Sequence, residues 1–379
     1  MKFSCQTSAL LQALQLVSRA ISGQQALPIL GNILLQAEGR RCIVSATDLE
    51  ISIVTSFEAA IENEGSITVP AKAILNFAQY TTDPDVVLET VEGTQMRCSS
   101  KHSKTMLSGE LASEYPTIAP VEKKISFAVN AHAFLEALHL VTFTCARTSL
   151  RPVLSGVSVR TEGGKLILVG TDSYRLSEYV LEAPTQDEIS CIIPVKVLEE
   201  VKAAISGNKT KKPSSDEKID EVPHVQVTLS AQQVELQVGS TRFLSRLIEG
   251  KFPDYRQIIP KETAVRSVIA THELTASVRR MHYFAKEVNN NLTFVLGTGD
   301  VQIKTPQTPL GKDEASVTAE TTGGEAKIAL SSSYLLDFLS HIDDANVELQ
   351  VVDSMHPAVF KLPNAAAFLH LIMPLRMQD

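Results

Sequence analysis

Slid along itself by 124 residues, the first third of this 379-residue chain falls on the second without a gap. Phe3 meets Phe127, and Leu10-Leu11-Gln12-Ala13-Leu14-Gln15-Leu16-Val17 meets Phe134-Leu135-Glu136-Ala137-Leu138-His139-Leu140-Val141. Pro28 meets Pro152, Gly39 meets Gly163, and Thr47-Asp48 meets Thr171-Asp172. Val69-Pro70-Ala71-Lys72 then meets Ile193-Pro194-Val195-Lys196. One offset held across such different residue types marks a duplicated folding unit, and copies of a unit repeat its architecture. A third copy is fainter. Leu10 and Leu14 match Leu274 and Val278, while Ile67, Ile74, Leu75 and Phe77 match Ile328, Leu335, Leu336 and Phe338. Glu114-Tyr115-Pro116 closes the first copy and Lys251-Phe252-Pro253-Asp254-Tyr255 the second. The expected domains are therefore residues 1–123, 124–253 and 254–379. The second carries a polar excursion, 207–223, whose Lys, Ser, Asp and Glu content predicts a solvated surface loop.

Within a copy, apolar spacing predicts a helix over residues 8–20, since Leu10, Leu14 and Val17 share one face. Strands are expected over 33–36, 41–46 and 50–57. A second helix is expected to open at Pro70 and run to Tyr80, because proline suits a first helical turn. A meander over 85–91, 95–99 and 105–109 completes the order β-α-β-β-β-α-β-β-β. That is an α+β unit, two helices laid on antiparallel sheet. Exposed sheet edges are a natural place for such units to join.

Composition narrows the function. The 44% hydrophobic and 21% charged content is that of an ordinary globular protein. With 35 Lys plus Arg against 43 Asp plus Glu, the net charge of −8 argues against gripping nucleic acid with the whole surface, though not against one local basic face. Cys5, Cys42, Cys98, Cys145 and Cys191 are odd in number and widely spaced, which disfavours a disulfide framework or a zinc site and suits a reducing cytoplasm. Trp is absent and aromatics are only 5%, too few for an aromatic stacking platform. No apolar run reaches the length of a membrane helix. The apolar N-terminus is read as a structural helix, because a close copy of it recurs inside the chain.

Catalytic patterns are missing: no His-Glu-x-x-His, no Gly-x-Ser-x-Gly, no Walker A loop and no Gly-x-Gly-x-x-Gly. The nine histidines are scattered, with none paired four apart. Asp48 and Glu50 flank Leu49, but the second copy reads Asp172-Ser173-Tyr174 and lacks the second carboxylate. A strand-end turn explains both better than a metal site. No cofactor, metal or catalytic residue is expected.

Five strings taken together carry a resemblance. Leu27-Pro28-Ile29-Leu30-Gly31-Asn32, Ala46-Thr47-Asp48-Leu49-Glu50, Gly170-Thr171-Asp172-Ser173-Tyr174-Arg175-Leu176, Phe252-Pro253-Asp254-Tyr255-Arg256 and the terminal Met373-Pro374-Leu375-Arg376-Met377 resemble the bacterial replicative sliding clamps, the beta subunit of DNA polymerase III. The resemblance spans the whole chain and keeps motif order. It implies a head-to-tail homodimer whose six domains close a ring round duplex DNA, helices inward and sheets outward. Geometry agrees: a domain of this size is roughly 35 Å across as a compact sphere. Three in a ring leave a hole of a few ångström and six leave roughly 35 Å, against a duplex of about 20 Å. An acidic rim with a mildly basic bore would attract phosphates without fixing register.

The candidate bore cations are Arg19, Lys72, Lys196, Lys202, Arg279 and Arg280. The family places a basic residue in the loop before Leu27; here that position is Gln24, and Arg147 and Arg151 in the second copy stand in for it. For short peptides of polymerases, clamp loader and repair proteins, the resemblance implies a pocket of Leu154, Thr171, Tyr174, Arg175, Leu176, Pro253, Ile258, Tyr334, Met355, Met373, Pro374, Leu375 and Arg376. Aliphatic and methionine walls suit Leu and Phe anchors. Tyr174 stands where many relatives carry His, and Gln378-Asp379 run past the usual end. Dimer closure is expected to set an edge strand at Thr105 and Leu107 against Tyr283 and Phe284 of the other copy. The competing readings are a three-repeat peptide scaffold that never closes on DNA, and an enzyme whose site is assembled between domains.

Overall fold

The computed structural model describes residues 1–23, 27–147, 150–208 and 223–377. Gln24, residues 209–222 of the expected loop, and Gln378-Asp379 lie outside the described residues.

The repeat reappears as geometry. In the first copy, β1 (Lys2–Gln6) leads into α1 (Thr7–Val17), followed by β2 (Asn32–Glu38), β3 (Arg41–Thr47), β4 (Ile51–Glu58), β5 (Ala60–Asn63), β6 (Gly65–Pro70), α2 (Ala71–Tyr80), β7 (Asp85–Thr90), β8 (Gln95–Ser99) and β9 (Lys104–Ser108). The second copy runs β10 (Ile125–Asn130), α3 (Ala131–Val141), β11 (Gly156–Glu162), β12 (Lys165–Thr171), β13 (Arg175–Glu182), β14 (Ser190–Pro194), α4 (Val195–Asn208), β15 (His224–Leu229), β16 (Gln233–Val238) and β17 (Thr241–Arg246). The third runs β18 (Val265–Ala270), α5 (Thr271–Ala285), β19 (Asn291–Leu296), β20 (Asp300–Lys304), β21 (Glu314–Gly323), β22 (Ala326–Ser331), α6 (Ser332–Leu339), β23 (Asn346–Val351), β24 (Ala358–Leu362) and β25 (Ala365–Ile372). The bounds of α1 and α3, β2 and β11, β3 and β12, and β4 and β13 differ by the same 124 residues that align the sequence.

One expectation needs correction. Between its two helices a copy holds at least four strands, not three, because β6, β14 and β22 lead straight into the second helix. Pro70 therefore ends a strand, opposite Asn32, and caps α2 rather than filling its first turn. A proline lacks the N–H a ladder needs and is tolerated at strand ends, so it hides a short strand from a sequence reading.

Helices form because their spacing buries one stripe: Leu10, Ala13, Leu14 and Val17 in α1, Leu274, Val278, Met281 and Ala285 in α5. Each first helix is also pinned by a backbone bond, to which α1 adds the Thr7 hydroxyl donating to Asp83 O (2.6 Å). The N–H of Thr7, Ala131 and Thr271 donates to the carbonyl of Pro84, Pro223 and Ala345, at 2.8, 2.8 and 2.9 Å. Those bonds satisfy one of the donors that every helix start leaves open.

The chain divides into two compact units, Met1–Ala131 with Glu199–Leu247, and His132–Leu198 with Ile248–Asp379. The first contains a sheet ordered β5-β1-β7-β8-β9 and an eight-stranded one ordered β10-β15-β16-β17-β4-β3-β2-β6. The second contains twelve strands in the order β14-β11-β12-β13-β25-β24-β23-β18-β21-β20-β19-β22. Each unit thus holds one junction where copies share a sheet: β4 with β17, and β13 with β25. All five cysteines are free thiols, and burial raises that of Cys5 to about 12. Among the described residues no helix is long and apolar enough to cross a membrane.

Candidate peptide-docking site

The Thr171-to-Leu176 segment between β12 and β13 is a turn built by its own side chains. Thr171 Oγ1 donates to the carbonyl of Arg175 (2.6 Å) and accepts from the N–H of Ser173 (3.1 Å). Asp172 Oδ1 accepts from the N–H of Tyr174 (2.9 Å) and of Arg175 (3.0 Å). Ser173 is left-handed, φ 81°, a conformation that short polar residues bear better than bulky ones. The Thr-Asp pair that the repeat preserves is therefore a turn device, as the sequence suggests.

The turn forms one wall of a cavity enclosing about 180 Å³, lined by Arg151, Leu154, Thr171, Ser173, Arg175, Leu176, Pro253, Asp254, Tyr255, Ile258, Leu371 and Met373. An apolar cavity of about 150 Å³ takes up a benzene ring, so this volume suits one bulky apolar side chain. Its floor is a core of Ile167, Val169, Leu176, Tyr255, Val359 and Leu371. Tyr255 is locked by donating to the Glu178 carboxylate and accepting from Arg160 Nη2 (2.5 Å). Burial, chiefly, pushes its hydroxyl up to about 12, with Glu178 adding to the effect. A neutral, rigid phenol results.

Of the expected pocket residues, Leu154, Thr171, Arg175, Leu176, Pro253, Ile258 and Met373 line this cavity. Tyr174, Tyr334, Met355, Pro374, Leu375 and Arg376 do not. Tyr174 is exposed and lies parallel to Tyr334 with ring centroids 6.3 Å apart. Met355 is 81% exposed, in a turn held by Asp353. The tail is tied down by backbone: Met373 N–H to Tyr174 O (2.8 Å), Leu375 N–H to Ala329 O (2.8 Å), and Arg376 O receiving Asn291 Nδ2 (2.9 Å).

Sequence reasoning missed Ser173, Asp254, Tyr255 and Leu371 as lining residues. Arg151, expected to face DNA, also lines the cavity. Also missed was a convergence beneath the turn. His139 and His341 have ring centroids 5.0 Å apart, and Phe143 stacks on His341 at 4.2 Å. His370 is fully buried against Phe338 at 4.5 Å, its Nδ1 2.8 Å from Ser177 Oγ and its Nε2 without a hydrogen-bond partner. Burial, reinforced by Arg175 and His341, holds its pKa well below the usual histidine value.

The remaining candidates scatter over the helices. Lys72, Lys196, Arg147 and Arg279 are exposed. Arg19 pairs with Glu200. Lys202 pairs with Glu199 (2.6 Å), and Arg280 holds Asp313 through Nε and Nη2 (2.8 and 3.1 Å). Partnered carboxylates leave those faces less positive than the arginines and lysines alone suggest. For the dimer contact, Thr105 and Leu107 do lie on β9, a sheet-edge strand, but Leu107 is buried and Met106 between them is exposed. Tyr283 and Phe284 are in the last turn of α5, not on a strand, where the burial stripe of α5 leaves Tyr283 outward. Among the described residues no three His, Cys, Asp or Glu side chains gather as metal ligands would.

Comparison with known proteins covers the whole chain. Residues 1–119, 128–254 and 256–376 match the N-terminal, central and C-terminal domains of the DNA polymerase III beta subunit. The chain is 28% identical to a protein named beta sliding clamp from Synechocystis, with both covered completely, and 29% identical to one from Staphylococcus aureus, with 99% of each covered. Its fold matches a crystal structure of a DNA polymerase sliding clamp from Pseudomonas aeruginosa with a TM-score of 0.90, 26% identity and full coverage of both chains. The chain belongs to the DNA polymerase III beta subunit family of sliding clamps.

Proposed function

We propose that two copies of this chain close head to tail round duplex DNA and tether the replicative polymerase to it. The observation that carries this reading is an open strand edge at each end of the repeat series. β4 and β13 each spend one edge on the meander of the next copy, through β17 and β25. In the third copy Glu314–Thr318 of β21 takes the place of β4, pairing β20 on one side. Among the described residues no strand pairs its other side, and β9, the counterpart of β17 and β25, ends its sheet. Unpaired edges invite strand addition. A second copy satisfies both at once, and a heterologous contact made twice closes a twofold ring.

Helix position supports the same arrangement. Arg19, Phe143 and Tyr283 occupy equivalent places after or at the end of the first helix of each copy. Arg19 and Phe143 meet the following copy within their own units, Arg19 through Glu200 and Phe143 through the Arg175 side chain that also reaches Asp337. Tyr283, 64% exposed, then faces the partner copy. We assign Arg19, Lys72, Arg147, Arg151, Lys196, Lys202, Arg279 and Arg280 to the DNA-facing side, and the cavity to short peptides of polymerase, loader and repair proteins. The domain limits 1–123, 124–253 and 254–379 go with this reading, as do a cytoplasmic location and a non-catalytic role. Weak, long-range attraction rather than dense phosphate neutralisation lets such a ring slide.

Retention on DNA topology tests it. Protein placed on a nicked circle by a clamp loader stays through a high-salt wash and leaves when the circle is cut. If salt strips it from circle and linear DNA alike, it binds by phosphate contact or not at all, and the scaffold reading replaces the ring.

A further inference from the structure

Arg175 lines the cavity, yet most of its guanidinium is committed elsewhere. Nε donates to Asp172 Oδ2 (3.0 Å), Nη1 to Asp337 Oδ2 (2.5 Å) and Nη2 to the Phe143 carbonyl (2.9 Å). Its central carbon lies 5.4 Å from the Phe143 ring and 5.0 Å from that of Tyr334. With 9% of its surface exposed, this is a bolt rather than a hook for incoming ligand. Asp172, at one end, also orders the turn by accepting the N–H groups of Tyr174 and Arg175. Asp337, at the other end, belongs to α6 of the third copy and touches none of the cavity.

We propose that Asp337 is a positioning residue for peptide docking: through Arg175 it fixes the turn that carries Thr171, Ser173 and Leu176 into the cavity wall. The inference rests on the peptide-docking reading above. The first junction supplies an internal control. Glu200 holds the place on α4 that Asp337 holds on α6, six residues beyond the strand-ending Pro194 and Ser331. It too pairs with an arginine of the preceding copy, but with Arg19 at a helix end. The equivalent of Arg175 there is Ile51, so that pair does not run through the turn. Two similar ion pairs join two similar junctions, and only one is wired to the cavity.

The test measures binding of a fluorescein-labelled hexapeptide ending in Leu-Phe to the full-length dimer by anisotropy. Asp337→Asn keeps size and one acceptor, and is expected to weaken binding about tenfold, a change of about 1.4 kcal/mol. Asp337→Glu, which keeps the charge, recovers part of that loss. Arg175→Lys weakens binding similarly, and the double variant Arg175→Lys/Asp337→Asn is no worse than the weaker single, because the two act as one unit. Glu200→Gln leaves affinity within about twofold, as expected for a site with no shared partner. Wild-type affinity in Asp337→Asn overturns the proposal. So do fully additive losses in the double variant, a Glu variant no better than Asn, or an equal loss in Glu200→Gln. Should the unaltered protein fail to bind peptide while still sliding on DNA, the docking reading itself falls.

Discussion

The two junctions use one backbone device and end with different properties. In the first, Thr47 Oγ1 donates to Ile51 O (3.0 Å), Asp48 Oδ1 accepts from Glu50 and Ile51 (3.1 and 2.9 Å), and Leu49 is left-handed at φ 76°. The second repeats each of these with Thr171, Asp172 and Ser173. What differs is the filling. Ile51, Ser52, Phe243 and Arg246 stand at the first junction where Arg175, Leu176, His370 and Met373 stand at the second. At the first, buried Tyr115 accepts from Thr47 N–H (3.1 Å) and donates to Asn32 O (3.2 Å). Gly156 occupies the Asn32 position at the second, where a Cβ would come within 2.7 Å of Ile193 O. A shared frame thus leaves side chains free to make one junction a plain joint and the other a joint with a cavity.

Substitutions can widen or erase that contrast. Arg175→Ala strands Asp172 and Asp337 and should cost about 3–5 kcal/mol in urea unfolding, whereas Arg19→Ala, whose head is half in water, should cost about 1 kcal/mol. Equal losses would mean the junctions are stapled alike. Tyr115→Phe leaves the Thr47 N–H without its partner and should cost about 1–3 kcal/mol by the same measurement.

His370→Phe gives the second junction the residue of the first. In the native state the His370 pKa is lowered, so below an unfolded value of about 6.5 the unfolded chain binds more protons than the folded one. Stability contributed by this group is present above that pH and lost as pH falls. Unfolding free energies should therefore run level near pH 7.5 and, below about pH 6.5, fall more steeply for the parent than for His370→Phe, by up to about 1.4 kcal/mol per pH unit. Parallel curves would remove His370 as the source. Smallest of all, Leu49→Gly should stabilise by about 0.5–1 kcal/mol, because a left-handed leucine is strained while glycine is not. The same change at Ser173 should gain less.

The frame was readable because its signals are local. Apolar periodicity, Gly39 and Gly163 in left-handed turns at φ 59° and 56°, and the Thr-Asp pairs all act within a few residues of themselves. β6, β14 and β22 escaped because short strands ending at a helix look like its approach. The site was readable only through the resemblance and the turn. Asp337 and His341 sit on or beside an ordinary helix, and what makes them matter is Arg175 and Phe143, brought together by folding. Tyr283 and Phe284, which the resemblance set against an edge strand, lie in the last turn of α5.

The three backbone bonds that pin the first helices have a historical consequence. Ala131 makes the same backbone joint as Thr7 and Thr271 without their hydroxyl, because an N–H and a carbonyl are supplied by nearly any residue. A joint of that kind asks nothing of the genetic code at its own position and is inherited through almost any substitution there. Copies held together by such joints can drift apart in letters while keeping one shape. The same tolerance fits a chain that matches a known clamp fold with a TM-score of 0.90 while about three residues in four differ.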